Sequence, residues 1–157
     1  MKIELLLTGK TDSGYLPEGI KLYENRLKHY CTYSRKEIPE LKKASALTES
    51  QIKDKEGELI LKNISDSDWL VLLDAKGEGL TSEEFSSKIQ GFMLKGVKRV
   101  VFAVGGAYGF SNQVYDRSNQ MISLSPMTFS HQMVRLVFVE QLYRAFTIIK
   151  GEPYHHK

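Results

Sequence analysis

One cysteine in 157 residues, Cys31, leaves the chain without an internal disulfide, and no Cys/His cluster has the spacing of zinc ligands. The fold therefore rests on an apolar core, which suits a reducing compartment. Prolines number only four while apolar residues make up 41% of the chain, enough buried surface to offset chain entropy and exclude disorder. Long apolar runs are missing too. No stretch spans a bilayer, and Met1-Lys2 leads straight into Ile3 to Leu7, too short for a signal-peptide core and without a small-residue cleavage site. A soluble cytoplasmic protein with no membrane partner is expected. Neither GxGxxG nor GxxxxGK[ST] occurs, which removes support for nicotinamide or ATP chemistry. Charge of one sign is scarce: lysine and arginine total 22 against 19 acidic residues, a formal +3 that excludes wholesale wrapping of a polyanion.

That small surplus is unevenly placed. Residues 1–116 carry 17 basic and 17 acidic side chains and residues 117–157 carry 5 and 2, so all the net positive charge lies in the last quarter. The length predicts a single domain over residues 1–157. Short β-rich runs alternate with longer helical patterns, the order of an α/β fold with a parallel sheet. Strands are predicted over Ile3–Thr8, Tyr33–Ile38, Trp69–Leu73, Arg99–Val104 and Met121–Leu124. Asp74 and the glycines at 77 and 79 are expected to end the third. One helix starts near Pro17, and its apolar stripe is Leu16, Ile20, Tyr23, Leu27 and Tyr30. A second covers Glu49–Asn63, interrupted at Gly57, and a third runs from a Thr81/Glu84 capping box to about Leu94. A short helix from Ser111 and a long one over Ser130–Ile149 complete the set. Residues 39–48 read as a lysine-containing loop.

Gly105-Gly106-Ala107-Tyr108-Gly109 follows the buried run RVVFAV at once, so its amides lie at the carboxyl edge of the sheet, where open α/β folds bind ligands. A bare tight turn accounts for the glycines equally well. LSPMTFSHQMVR, residues 124–135, leaves a strand through a Ser-Pro turn and enters a helix. Its main-chain groups can read a nucleobase edge within a pocket of Leu124, Met127 and Phe129, or it is a plain connection with Ser130 as N-cap. The last helix is apolar round most of its circumference, which calls for a central position or a subunit interface, and favours a homodimer. Its polar residues Arg135, Glu140, Gln141 and Arg144 must face solvent, a partner or a ligand, and a buried arginine needs an anionic or hydrogen-bonding partner. Glu140 and Arg144, four apart, also suit an ordinary helix ion pair. The tail from Gly151 combines Tyr154 with the imidazoles of His155 and His156, groups that stack and carry protons, though a frayed terminus reads the same way.

Taken together, VGGAYG at 104–109, LSPMTF at 124–129, HQMVR at 131–135, EQLYRAF at 140–146 and PYH at 153–155 closely resemble the RlmH family of 23S rRNA (pseudouridine-N3)-methyltransferases, members of the SPOUT class. DKEGE at 54–58 and the strand ending in Leu73-Asp74 extend the resemblance over essentially the whole chain. What it implies is an α/β knot: a parallel central sheet with helices on both faces and a C-terminal trefoil knot, an exception to the unknotted rule. It implies S-adenosylmethionine as methyl donor, held by Leu73, Gly105, Leu124, Ser125, Pro126, Met127, Thr128 and Phe129, with no metal. It further implies a homodimer whose partner subunit helps complete each RNA site. The reaction implied is methyl transfer to N3 of a pseudouridine in the helix 69 loop of 23S rRNA, on the assembled ribosome. In that scheme His155 accepts or relays the N3 proton, Arg144 stabilises the anionic base or a phosphate, Tyr154 positions the base and His131 orders the site. The chain departs from the family pattern at Ser130, where many members have proline. The alternatives are a SPOUT methyltransferase of another rRNA or tRNA base, and a catalytically silent ribosome-associated RNA-binding module.

Overall fold

Successive side chains of a strand point to opposite faces, so runs such as Leu5-Leu6-Leu7 and Val100–Val104 can be buried throughout only where helices cover both faces of their sheet. The computed structural model, which describes residues 1–156, has that arrangement. Its elements are β1 (Lys2–Thr8), α1 (Tyr15–Leu27), β2 (Thr32–Ile38), α2 (Glu49–Leu61), β3 (Trp69–Gly79), α3 (Ser82–Leu94), β4 (Arg99–Val104), α4 (Asn112–Arg117), β5 (Gln120–Ser123) and α5 (Met133–Lys150). All five strands join one parallel sheet in the order β2-β1-β4-β3-β5. Leu5, Leu7, Val71, Val100 and Phe102 face a core shared with α1, α3 and α5, whereas Leu6, Leu70, Leu72, Val101 and Ala103 face α2 and α4.

The sequence-predicted elements recur with shifted ends, and two expectations need correction. Asp74 does not end β3. The strand bulges, its register to β5 shifts between Leu73 and Glu78, and pairing resumes with Glu78 opposite Ile122. A Cβ on Gly77 would lie 2.5 Å from the Ile122 nitrogen, so only glycine lets the bulge pass that close to β5. Gly57 does not interrupt α2 either. It is buried where the helix presses on the residue preceding α4, and a Cβ there would meet Ser111 Oγ at 2.2 Å. Sequence periodicity registers a glycine's poor helix propensity but not the packing that a missing side chain permits.

The starts of α2 and α3 are chemically fixed. Thr81 Oγ1 accepts the Glu84 N–H at 3.1 Å while Glu84 Oε2 accepts the Thr81 N–H at 2.7 Å, and Thr48 and Gln51 make the same reciprocal pair ahead of α2. Residues 39–48 contain one short turn of 3-10 helix, Ala44–Ala46. The apolar α5 is covered mainly from within, by lying between α1 and α3 on the sheet. Phe138 packs on Phe102 with ring centroids 4.7 Å apart, and Phe85 meets both rings edge-on. At the amino end of the strands Arg99 binds Glu4 at 2.7 Å and Asp68 at 2.6 Å. Burial pushes the Glu4 carboxyl up, but Arg99 and Lys2 outweigh it and hold the group below its ordinary value. The opposite, carboxyl end of the sheet opens into a cleft.

Candidate active site

The carboxyl ends of β3, β4 and β5 open into a cleft of about 380 Å³, within the roughly 300–1,000 Å³ typical of small-molecule sites. The structure brings Leu73, Gly105, Leu124, Ser125, Met127, Thr128 and Phe129 together in its walls, with His131 beside them. Pro126 is exposed and does not line it. Local bonds shape the 124–129 segment. Ser123 Oγ donates to the Ser125 carbonyl at 2.9 Å, and the Met127 N–H donates to Ser125 Oγ at 2.9 Å, so two of the main-chain groups expected to be open are already paired. Leu124 is half-buried, while Met127 is 78% and Phe129 37% exposed, forming an apolar rim. Ser130 Oγ accepts the Met133 N–H at 3.1 Å, a cap one turn before α5.

The walls carry little charge. Asp74 is the only Asp, Glu, Lys or Arg among the described lining residues. Its carboxylate accepts from Tyr115 Oη at 2.6 Å and from the Lys76 N–H at 2.8 Å. Burial, with that acceptor's charge, pushes the Tyr115 phenol up to about 12. With no lysine or arginine among its described lining residues, the site gives a triphosphate or pyrophosphate no cationic partner, whereas a single carboxylate and an apolar rim suit a molecule bearing a sulfonium and an adenine. The residues present therefore fit S-adenosylmethionine. Among the described residues no cluster of three or more His, Cys, Asp or Glu could hold a metal ion, and no helix is long and apolar enough to cross a membrane.

Arg135 fixes the cleft from behind. Its side chain is 0% exposed, and the guanidinium forks onto the Thr8 carbonyl at 2.9 Å, the Gly9 carbonyl at 3.2 Å, Thr11 Oγ1 at 3.0 Å and the His131 carbonyl at 3.0 Å. Burial lowers its pKa from the ordinary value. Gln132 adds a second clamp, donating to the Lys10 carbonyl and accepting from the Asp12 N–H, each at 2.9 Å. The end of β1 is thereby tied to the entry of α5. The partners that a buried arginine needs are thus three main-chain carbonyls and one hydroxyl, with no anion among them. Gln132 was not legible as part of this clamp, for its only sequence signal is its place beside His131.

Arg144, Tyr154 and His155 converge on α5, but away from the cleft; none of them lines it. Arg144 Nη2 binds Glu140 Oε1 at 2.5 Å, its guanidinium stands 4.8 Å over the Tyr154 ring, and Nη1 is 3.4 Å from His155 Nδ1. Tyr154 Oη donates to the same Glu140 oxygen at 3.0 Å and lies 3.4 Å from Tyr23 Oη. His155 Nε2 is 3.2 Å from Glu83 Oε1. Burial pulls the Arg144 pKa down, yet the Glu140 bond and charge leave it raised. Burial first, then Tyr23 and Glu140, push the Tyr154 phenol up. Glu140 and Arg144 form the helix ion pair that their spacing allows, and the pair also holds Tyr154 and His155 of the tail. His156 is exposed.

The family described as "Predicted SPOUT methyltransferase" matches residues 1–155. Proteins named ribosomal RNA large subunit methyltransferase H from Christiangramia forsetii, Parabacteroides distasonis and Flavobacterium johnsoniae are 56%, 54% and 50% identical to it over 157 residues, the whole of this chain and of each relative. An all-parallel sheet, a cleft at its carboxyl edge and a similarity that spans the full length agree: the chain belongs to the SPOUT methyltransferase family, in the group whose curated members are named ribosomal RNA large subunit methyltransferase H.

Proposed function

We propose that this protein is a homodimeric rRNA methyltransferase that uses S-adenosylmethionine to methylate N3 of a pseudouridine in the helix 69 loop of 23S rRNA, on the assembled ribosome, from one domain folded as an α/β knot. The observation that carries the reading is the cleft itself, where Leu73, Gly105, Leu124, Ser125, Met127, Thr128 and Phe129 meet in walls without a lysine or arginine among the described residues. Bound there, the donor supplies a methyl group already made electrophilic by its sulfonium.

The acceptor is the harder half. A neutral imide N3–H has no in-plane lone pair, so the proton must leave as the N–C bond forms. His155 takes it. Arg144 is a donor only, so the Nδ1 that faces it carries the imidazole lone pair and Nε2 carries the hydrogen directed at Glu83. When Arg144 Nη1 turns to the carbonyl oxygen on which negative charge develops, that lone pair is released to accept the N3 proton. Tyr154, held by Glu140 and Tyr23, positions the ring, and His131 orders the cleft wall. Because the tail groups do not line the cleft of their own chain, the second subunit is what brings them to it.

Mapping of 23S rRNA by mass spectrometry, from cells with and without the gene, should show loss of one methyl from the helix 69 pseudouridine; an unchanged map refutes the assignment. His155→Ala should lower the methylation rate by about 10²-fold or more with cofactor affinity by calorimetry unchanged.

A further inference from the structure

Two cavities adjoin the cleft. One, walled by Thr81, Phe85, Leu124 and Gln141 among others, holds about 20 Å³, too little for a nucleobase. The other holds about 350 Å³ and shares Gly106, Ala107 and His131 with the cleft, so a molecule seated in it meets the cleft across the glycine turn. The end of β1, the segment after β2 and one side of α2 form its remaining walls, and the exposed Tyr108 ring offers a stacking face.

Glu56, the central residue of the DKEGE motif, lines this cavity and has no part in the cleft or the tail. Its Oε2 is buried without a hydrogen-bond partner, and no cation pairs with the carboxyl among the described residues. Burial alone raises its pKa from the ordinary value. A Cβ on Gly106 would lie 2.5 Å from Oε2, which places the carboxyl against the very turn that separates cavity from cleft. A buried carboxylate lacking a donor is costly, and a ligand N–H that reaches it both relieves that cost and forms a charge-assisted bond.

We propose that this second cavity receives the acceptor ring and that Glu56 accepts a hydrogen bond from its N1–H, which makes Glu56 the residue that distinguishes pseudouridine from uridine. The inference rests on the acceptor reading given above. Pseudouridine is joined to ribose through carbon and keeps two ring N–H groups flanking one carbonyl. With N3 turned to the cleft, N1–H points to one side of it. Uridine superposed on the same sugar and N3 presents C5–H at that place, and a carboxylate facing C–H stays unpaired. A bond to a charged acceptor corresponds to about tenfold to a hundredfold in selectivity.

The test is methyl transfer by the full-length protein to large subunits that carry pseudouridine or uridine at the acceptor position, the latter from cells lacking the corresponding pseudouridine synthase. The ratio of kcat/KM for the two substrates should favour pseudouridine at least tenfold in the natural protein. Glu56→Leu should collapse that ratio, and Glu56→Gln, which retains a carbonyl acceptor of the same size, should restore part of it. Calorimetric affinity for S-adenosylmethionine should be the same in all three. A ratio left within twofold by Glu56→Leu overturns the proposal, as does a natural protein that treats both subunits alike. If Glu56→Leu fails to fold, an undiminished ratio in Glu56→Gln together with one in Glu56→Ser overturns it equally. A natural protein that methylates neither subunit refutes the acceptor reading instead.

Discussion

Replacing Arg135 with methionine removes a side chain that is 0% exposed and holds the β1 terminus to the first turn of α5. Four bonds go with it, to the carbonyls of Thr8, Gly9 and His131 and to Thr11 Oγ1. The Thr8 and Gly9 carbonyls are then buried acceptors without donors, at about 1–3 kcal/mol each. Release of the buried guanidinium from its desolvation cost offsets part of that loss. A net destabilisation of about 3 kcal/mol follows, a large share of the roughly 5–15 kcal/mol that holds a domain folded. Urea unfolding followed by Trp69 fluorescence reads it directly: the midpoint falls while the slope stays constant. Arg135→Lys keeps the charge but cannot fork to four acceptors, and should lie between the two. Because Arg135 holds the carbonyl of His131, both variants should also weaken binding of S-adenosylmethionine. A loss below about 1 kcal/mol for Arg135→Met at unchanged slope refutes the reasoning, for it means that burying the charge costs as much as its bonds contribute.

Three further outcomes follow from the same geometry. The Glu56 carboxyl is held above its unfolded value near 4.5, so its protonated form adds stability that is complete below that pH and disappears as pH rises through the folded value. Glu56→Gln should therefore unfold at higher urea than the natural protein at pH 7 and at the same urea near pH 4, and a difference independent of pH contradicts this. Gly57→Ala gains helix propensity but places a methyl 2.2 Å from Ser111 Oγ and 3.0 Å from its Cβ, so thermal unfolding should report a net loss of about 1–2 kcal/mol, part of which Ser111→Gly returns. Burial pushes the Cys31 thiol up to about 11, so alkylation at pH 8 should run about a hundredfold slower than for an unhindered cysteine until the protein is denatured.

How much of this was legible in the chain depends on how local the cause is. WLVLL and RVVFAV announce strands buried on both faces, and Thr81 with Glu84 announces a helix start, because each signal lies within a few residues. The bulge in β3 and the unbroken α2 were not legible. Their causes are Ile122 against Gly77 and Ser111 against Gly57, contacts 45 and 54 positions apart (122 less 77, 111 less 57) that no periodicity records. The cleft residues were reached through resemblance, since GGAYG and LSPMTF each have a plainer structural reading on their own. Glu56 escaped altogether as a site residue. Its sequence surroundings are those of an ordinary charged helix, and only three dimensions reveal that its carboxyl meets a glycine turn rather than a lysine.

The placement of charge carries the last step. A cationic donor is repelled by lysine or arginine, whereas an acceptor that must become an anion, on a strand of phosphates, is attracted by them. One binding site cannot serve both demands with a uniform field. Under the proposed function this chain separates them in space: among the described residues Asp74 is the only Asp, Glu, Lys or Arg in the lining of the cleft, and the guanidinium of Arg144 stands with the tail, raised in pKa and bound by Glu140. The described basic residues of the last quarter thus stay off the walls of the proposed donor site, and under that proposal the reacting pair is assembled where tail and cleft meet. Under the proposed dimer the second subunit brings them together, so basic residues added to the cleft, for example Ala75→Lys, should weaken donor binding more than RNA binding, with the reverse order for Arg144→Gln.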